Sequence, residues 1–423
     1  MRLPNSRRLA VGDVLKWAFG ECLAAFFRLE FLPELSAAMK GLASVLGFVL
    51  LTMVCWGIYG PVLTKGQVDM HSGLRPFICV GLAYFVIAVA VPIALLKTTG
   101  EKGRWTATGL FWSLLAGVVT AIGALGIILA IGARGSPLYV MPLVFGIAPV
   151  VNSFVTIHFS RAYKQIGPVF IAGLILVMLG AVTVLVFAPQ RESATVDTKN
   201  GVKVTIVAKM PEGDRTTVLA APSMADFEKQ FPDAYRKYFP LSISEWSLVL
   251  LYTLMTAVCW GIYGPTLHRG QMAMAGSRLR PLLCVGLAYF LIAVLVPLFL
   301  LTISPDRGEW TTAGALWSLA AGTAGAVGAL GIIMAFNYGG KPVYVMPLVF
   351  GGAPVVNTLF VLALSSTIDR IGPVFIAGLI LVAAGAVTVL IFAPRAPAHA
   401  PTHGAESPDA KKEKEPARLA PGE

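Results

Sequence analysis

The chain has 423 residues, of which 56% are hydrophobic and 13% charged. A water-soluble domain is about a quarter charged, so a globular fold in water is excluded and a lipid bilayer is the natural solvent. The net charge of +11 does not point to nucleic acid, because Lys and Arg form no basic stripe interleaved with aromatics; the positive-inside bias of membrane proteins accounts for it.

In chain order, residues 1–42 form a cytoplasmic N-terminal segment without the compact apolar core and cleavage site of a signal peptide. Leu15, Trp17, Phe19, Leu23, Phe26 and Phe27 stand among scattered charges. They read either as an interfacial amphipathic helix or as a stretch ahead of a start at Met39. Five apolar stretches follow, at 43–63, 76–96, 109–133, 137–159 and 167–189. A linker at 190–245 comes next. Five more stretches lie at 246–266, 281–301, 313–337, 342–363 and 372–393, and a polar tail rich in Pro, Ala, Lys and Glu begins at 395. Each stretch has about the 20 apolar residues a helix needs to cross a bilayer, and none holds Asp, Glu, Lys or Arg in its interior. They are apolar on every side, unlike barrel strands. The expected fold is an all-α membrane protein of ten transmembrane helices.

The two sets of five are copies. Cys55 to Pro61 recurs as Cys259 to Pro265, Tyr139 to Gly146 as Tyr344 to Gly351, Ala148 to Asn152 as Ala353 to Asn357, and Ile166 to Leu176 as Ile371 to Leu381. The offset is 204 at the first motif and 205 afterwards. An odd number of crossings per copy turns the second unit over, so 43–189 and 246–394 are expected to be inverted repeats, an architecture of secondary transporters. Lys and Arg in the short breaks after spans 2, 4, 6 and 8 exceed those on the other side. Both termini are therefore expected in the cytoplasm of a cell (inner) membrane, and the linker outside. Within the linker, 202–207 and 216–219 read as strands around a turn at 211–214. Ser223 with Asp226 caps a short helix bearing Phe227, Phe231 and Tyr235.

No phosphate loop, HExxH or GxSxG is present, and the five Cys form no CxxC pair. The sequence points away from an enzyme and calls for no cofactor or metal. Proton carriers keep a carboxylate or His at depth, and the ten stretches hold no carboxylate. The partners expected are the bilayer, a small-molecule substrate, and either a coupling ion held by neutral oxygens and helix ends or none at all; oligomeric state is open.

Two constellations stand out. Trp56 and Tyr59 lie three apart on one helix face, as do Trp260 and Tyr263, and Pro61 and Pro265 are expected to bend their helices. Indole and phenol groups suit a neutral polar ligand such as a sugar; the alternative is an interfacial anchor. The motifs fall in opposite halves of the bilayer, as a pair of gates. In spans 4 and 9, Pro142, Pro149 and Asn152 recur as Pro347, Pro354 and Asn357. These prolines are expected to break the helices, with the Asn side chains lining a cavity or capping the broken backbone. Tyr84, Tyr289, Trp112 and Trp317 are weaker duplicated candidates.

Two five-span units, a Trp-Gly early in each, an Ala-Pro-x-x-Asn span and closing Gly-rich spans at Gly167–Pro189 and Gly372–Pro394 resemble the drug/metabolite transporter superfamily of the EamA-like type. Its frequent Gly-Glu before the last helix of each unit is missing, with Gln165 and Asp369 nearby, and the neutral aromatic interior is more similar to the bacterial sugar-porter branch. The resemblance implies alternating-access exchange or symport of a small metabolite. A second reading is a membrane scaffold or receptor whose linker binds an extracytoplasmic ligand.

Overall fold

A computed structural model describes residues 37–394 apart from 99, 134, 136, 162, 188–191, 200, 211–212, 232–233, 236–237, 240, 305, 307, 366–370 and 393. Most of the N-terminal segment, the tail beyond 394, Arg134, Asp369 and the Pro211-Glu212 turn lie outside the described residues. The first unit forms α1 (Ala37–Met70), α2 (Leu74–Thr98), α3 (Ala107–Gly132), α4 (Pro137–Ser160) and α5 (Pro168–Val186). After a sheet and a short helix α6 (Met224–Gln230) come α7 (Ile243–Ala273), α8 (Leu279–Ile303), α9 (Thr312–Asn337), α10 (Pro342–Ser365) and α11 (Pro373–Phe392). Eight of these helices are long and apolar enough to cross a membrane; α5 and α11 are apolar but shorter, at 19 and 20 residues. The chain is a largely helical, multi-pass membrane protein.

Helix starts follow local chemistry. Thr106 and Thr311 accept hydrogen bonds from the Gly109 and Gly314 amides, and Ser242 with Glu245 makes a full capping box. Pro137, Pro168, Pro342 and Pro373 occupy first helical positions, where the missing N–H costs nothing.

The prolines do not break their helices. α1 and α7 run through Pro61 and Pro265, α4 through Pro142 and Pro149, and α10 through Pro347 and Pro354. In lipid a broken helix finds no other partners for its backbone, so losing one hydrogen bond is the smaller cost. The departures from α geometry lie in α2 and α8 instead, as π-helical turns at Val86–Ala90 and Leu291–Leu295. The Val91 amide bonds the Val86 carbonyl, five residues back, and Pro92 follows with no N–H to give. Pro297 stands in the same place after the second turn.

The repeated sequences make reciprocal contacts. Helix α1 packs on α9, with the Thr52 hydroxyl donating to the Gly328 carbonyl at 3.1 Å; α7 packs on α3, with Thr256 donating to Gly123 at 3.0 Å. Helices α2 and α8 cross antiparallel. Gly81 faces Ala293 and Val294, Gly286 faces Ala88, and Tyr84 stacks on Tyr289 between them, with ring centroids 3.9 Å apart. Helices α5 and α11 also pair antiparallel: Gly173 meets Thr388 and Gly180 meets Val382, while Gly378 meets Thr183 and Gly385 meets Val177.

Each end of the bundle carries a charged clamp. At the end we term the first face, Asp306 pairs with Arg75 and accepts from the Ser72 hydroxyl at 2.5 Å. At the second face, Glu101 accepts from Ser277 Oγ at 2.8 Å, the Arg278 amide at 2.7 Å and Arg280 Nη1 at 3.2 Å. Such partly buried, charge-assisted networks hold better than single exposed pairs.

The linker is folded. Its expected strands are β2 (Val202–Met210) and β3 (Gly213–Ala221), joined by β1 (Glu192–Asp197) in an antiparallel sheet of order β1-β2-β3. Ser223 caps α6 as expected, accepting from the Asp226 amide. Val202, Val204 and Ala221 pack against Phe227 and Phe239, giving the linker its own small core. Phe227 is fully buried there. Phe227→Ala is expected to cost about 3–5 kcal/mol, enough to melt this small unit. Hydrogen exchange should rise across 192–221 and stay unchanged in the membrane helices.

Candidate functional site

The Trp-Gly-x-Tyr motifs of α1 and α7 turn inward. Trp56 Nε1 donates to the Gly325 carbonyl of α9 at 3.3 Å, and Trp260 Nε1 donates to the Thr120 carbonyl of α3 at 3.3 Å. Each indole lies over a glycine, Gly328 or Gly123, whose missing Cβ leaves it room. Their N–H groups are satisfied by protein, so the anchor reading does not describe these indoles.

The two motifs were expected as separate gates in opposite halves. They meet near the middle of the bundle: the Trp56 and Tyr263 rings lie 6.1 Å apart, Trp56 packs on Phe350, Phe350 on Phe145, and Phe145 on Trp260. One cluster results, contributed by both units. Tyr59 packs in the same core as Tyr289, which stacks on Tyr84. Tyr84 and Tyr289 therefore belong to the cluster, and Trp112 does not. Trp112 packs on Phe159 near the second face, with the Arg269 guanidinium 5.0 Å above its ring.

Asn152 and Asn357 each sit beside the motif of the opposite unit. A Cβ on Gly264 would lie 3.1 Å from Asn152 Oδ1, and one on Gly60 would lie 3.4 Å from Asn357 Oδ1. Asn152 is fully buried and its Nδ2 donates to the Pro342 carbonyl at 2.9 Å, which fixes the amide's orientation; its Oδ1 has no partner. Tyr263 OH, His268 Nδ1 and Gln271 Oε1 are also buried without partners. An unsatisfied buried polar atom costs about 1–3 kcal/mol, so this cluster is expensive when dry. No carboxylate is among these residues.

Sequence reasoning missed His268 and Gln271 because it ended the span at 266, whereas α7 continues to Ala273. Gln271 had a signal in its repeat partner Gln67, and Phe145 and Phe350 had one in the duplicated Val-Phe-Gly; His268 faces Thr64 in the alignment and had none. Among the described residues no group of His, Cys, Asp and Glu is arranged to hold a metal.

No protein-family model and no curated protein matches this sequence. A solved crystal structure, described only as that of a protein, superposes with a TM-score of 0.55 at 14% identity, over 83% of this chain and 99% of that one. That likeness is one of fold alone.

Proposed function

We propose that this chain is a secondary transporter that moves a small, neutral, polar solute, sugar-like by preference, through alternating access between two inverted five-helix repeats. In this reading α5 and α11 also cross the bilayer, giving ten crossings, and the second face is cytoplasmic. The observation that carries it is the shared cluster of Trp56, Tyr263, Phe145, Phe350 and the tyrosine pair, built equally by both copies around polar atoms without partners. The antiparallel α2–α8 and α5–α11 pairs support inversion, since a copy related by rotation about the membrane normal would lay them parallel. Aromatic faces with hydroxyl and amide groups, and no charge, suit a sugar better than an amino acid or a nucleotide. The resemblance to EamA-like drug/metabolite transporters, near the sugar-porter branch, agrees with this reading. A coupling ion, if used, would be held by carbonyl and hydroxyl oxygens.

The test is uptake into proteoliposomes across a panel of neutral sugars, amino acids and nucleosides, with thermal-shift screening of the same panel. Saturable uptake of a sugar is expected; no saturable uptake of any member would remove the proposal. The folded linker favours one other reading, a receptor whose sheet domain binds an external ligand. Deleting 192–239 separates the two. A transporter keeps its uptake within about a factor of three, the scale of a perturbation below 1 kcal/mol, whereas a receptor loses its ligand.

A further inference from the structure

Of the eight buried side-chain atoms without a hydrogen-bond partner among the described residues, two are the Nε atoms of Arg75 and Arg280, one in each clamp. The other six, on Ser113, Asn152, Thr156, Tyr263, His268 and Gln271, all lie in the half of the bundle nearer the second face. The contacts place them there: Ser113 faces Gly270 of α7, and the last turn of α4 meets Arg269 through Phe159. Internal symmetry makes this imbalance informative, because each residue has a repeat partner in the other half.

The partners are not buried in the same way. Tyr263, Gln271 and Asn152 are 1%, 2% and 0% exposed, whereas Tyr59, Gln67 and Asn357 are half-buried. His268 packs edge-on against Phe336, with centroids 5.0 Å apart, whereas Thr64 is exposed. All four comparisons run in one direction. The half near the second face is shut by ties from α7 and α4 to the end of α9 and the start of α10: Gln271 Nε2 donates to the Ile333 carbonyl at 3.0 Å, and Asn152 Nδ2 to Pro342.

We propose that Asn152, Tyr263, His268 and Gln271 line the solute's route to the second face, closed in this conformer, a reading that rests on the transport function above. Their partners Asn357, Tyr59, Thr64 and Gln67 line the route to the first face, which stands more open. A wall built only for packing would be apolar at these positions, since buried polar atoms without partners are selected against. A wall that is wet in the alternate conformer keeps them, because water and solute satisfy them there. The chemistry also narrows the solute. Each amide spends one N–H on a backbone carbonyl, and the atoms that Asn152 and Gln271 leave without any partner are their oxygens. Those acceptors select solutes rich in O–H or N–H donors, which is the chemistry of a polyol or a sugar.

The experiment is single-cysteine labelling with a membrane-impermeant maleimide. It uses full-length protein with the five native cysteines replaced, in sealed vesicles of both orientations. Thr64→Cys and Gln67→Cys are expected to react from one face only. His268→Cys and Gln271→Cys are expected to react from the opposite face only, and about tenfold more slowly, the ratio for a conformer shut about ten-elevenths of the time. The proposal is overturned if His268→Cys and Gln271→Cys react from the same face as Thr64→Cys. It is also overturned if they stay unreactive from both faces in variants that remain monodisperse by gel filtration. Labelling requires no solute, so two-sided labelling in a chain that takes up nothing upholds the route while removing the transport reading.

Discussion

Trp56→Ala is expected to abolish solute uptake in proteoliposomes while the protein remains monodisperse in detergent. The indole does three things at once. It fills the space over Gly328, ties α1 to α9 through the Gly325 carbonyl, and presents its ring to Tyr263 and Phe350. Truncation removes the surface against which a solute would stack and leaves a cavity where two helices of opposite units meet. The cavity costs about 3–5 kcal/mol in a soluble core, which alone would shift the melting point. The effect on uptake is expected to exceed the effect on stability, a fall of about a hundredfold or more, equivalent to roughly 2.7 kcal/mol. Trp56→Phe separates the roles. It keeps an aromatic face and loses only the N–H, so it should retain saturable uptake with a raised half-saturation concentration. Uptake at the wild-type rate by the alanine variant would return the residue to helix packing.

Gly286→Val is expected to prevent assembly of the bundle. A Cβ at this position would lie 2.9 Å from the backbone carbonyl atoms of Ala88, and backbone cannot step aside as a side chain would. The α2–α8 crossing must then widen, which unstacks Tyr84 from Tyr289. Overpacking typically costs about 1–3 kcal/mol, and rigid backbone contact puts this variant at or beyond the upper end. The measurement is the monodisperse fraction and melting temperature after extraction. A wild-type melting temperature for Gly286→Val would contradict the close approach described for this crossing. Gly276→Ala is a control at a turn glycine with a φ of 72° and open space around it; its cost should be only the strain of the left-handed backbone, about 1 kcal/mol.

The gross plan was legible in the sequence because lipid leaves few alternatives. Long apolar runs become helices, and duplicated motifs such as Cys55 to Pro61 and Cys259 to Pro265 announce paired units. The linker strands and the Ser223 cap were legible because alternation and capping are local. The span ends were not. Hydropathy drops at His268 and Arg269, yet α7 continues because its last turns are buried against α3 and α9. The prolines misled for a related reason: they advertise a break, but a helix surrounded by lipid and neighbouring helices keeps its course. The π turns were not expected, although Pro92 and Pro297 stand just beyond them in the sequence. β1 was missed because the alternation in Glu192–Asp197 is short and rests on Ala194 and Val196 alone, and pairing with β2 supplies what its own residues do not. Most of the candidate site was named in advance, since Trp56, Tyr59, Trp260, Tyr263, Asn152 and Asn357 all sit in or beside the central cluster. What a linear reading could not reveal is that residues about 200 positions apart would touch.

The stack of Tyr84 on Tyr289 is a contact between a residue and its own duplicate. Elsewhere the copies differ, as at Thr120 and Gly325 or at Thr64 and His268, where neither residue packs on its own duplicate. At the crossing point, a change in one ring meets its sibling, so neither can evolve alone. A fulcrum of this kind serves both ends of a see-saw equally. Under the transport proposed above, altering it is expected to slow tilting in each direction without changing which way the beam prefers to rest.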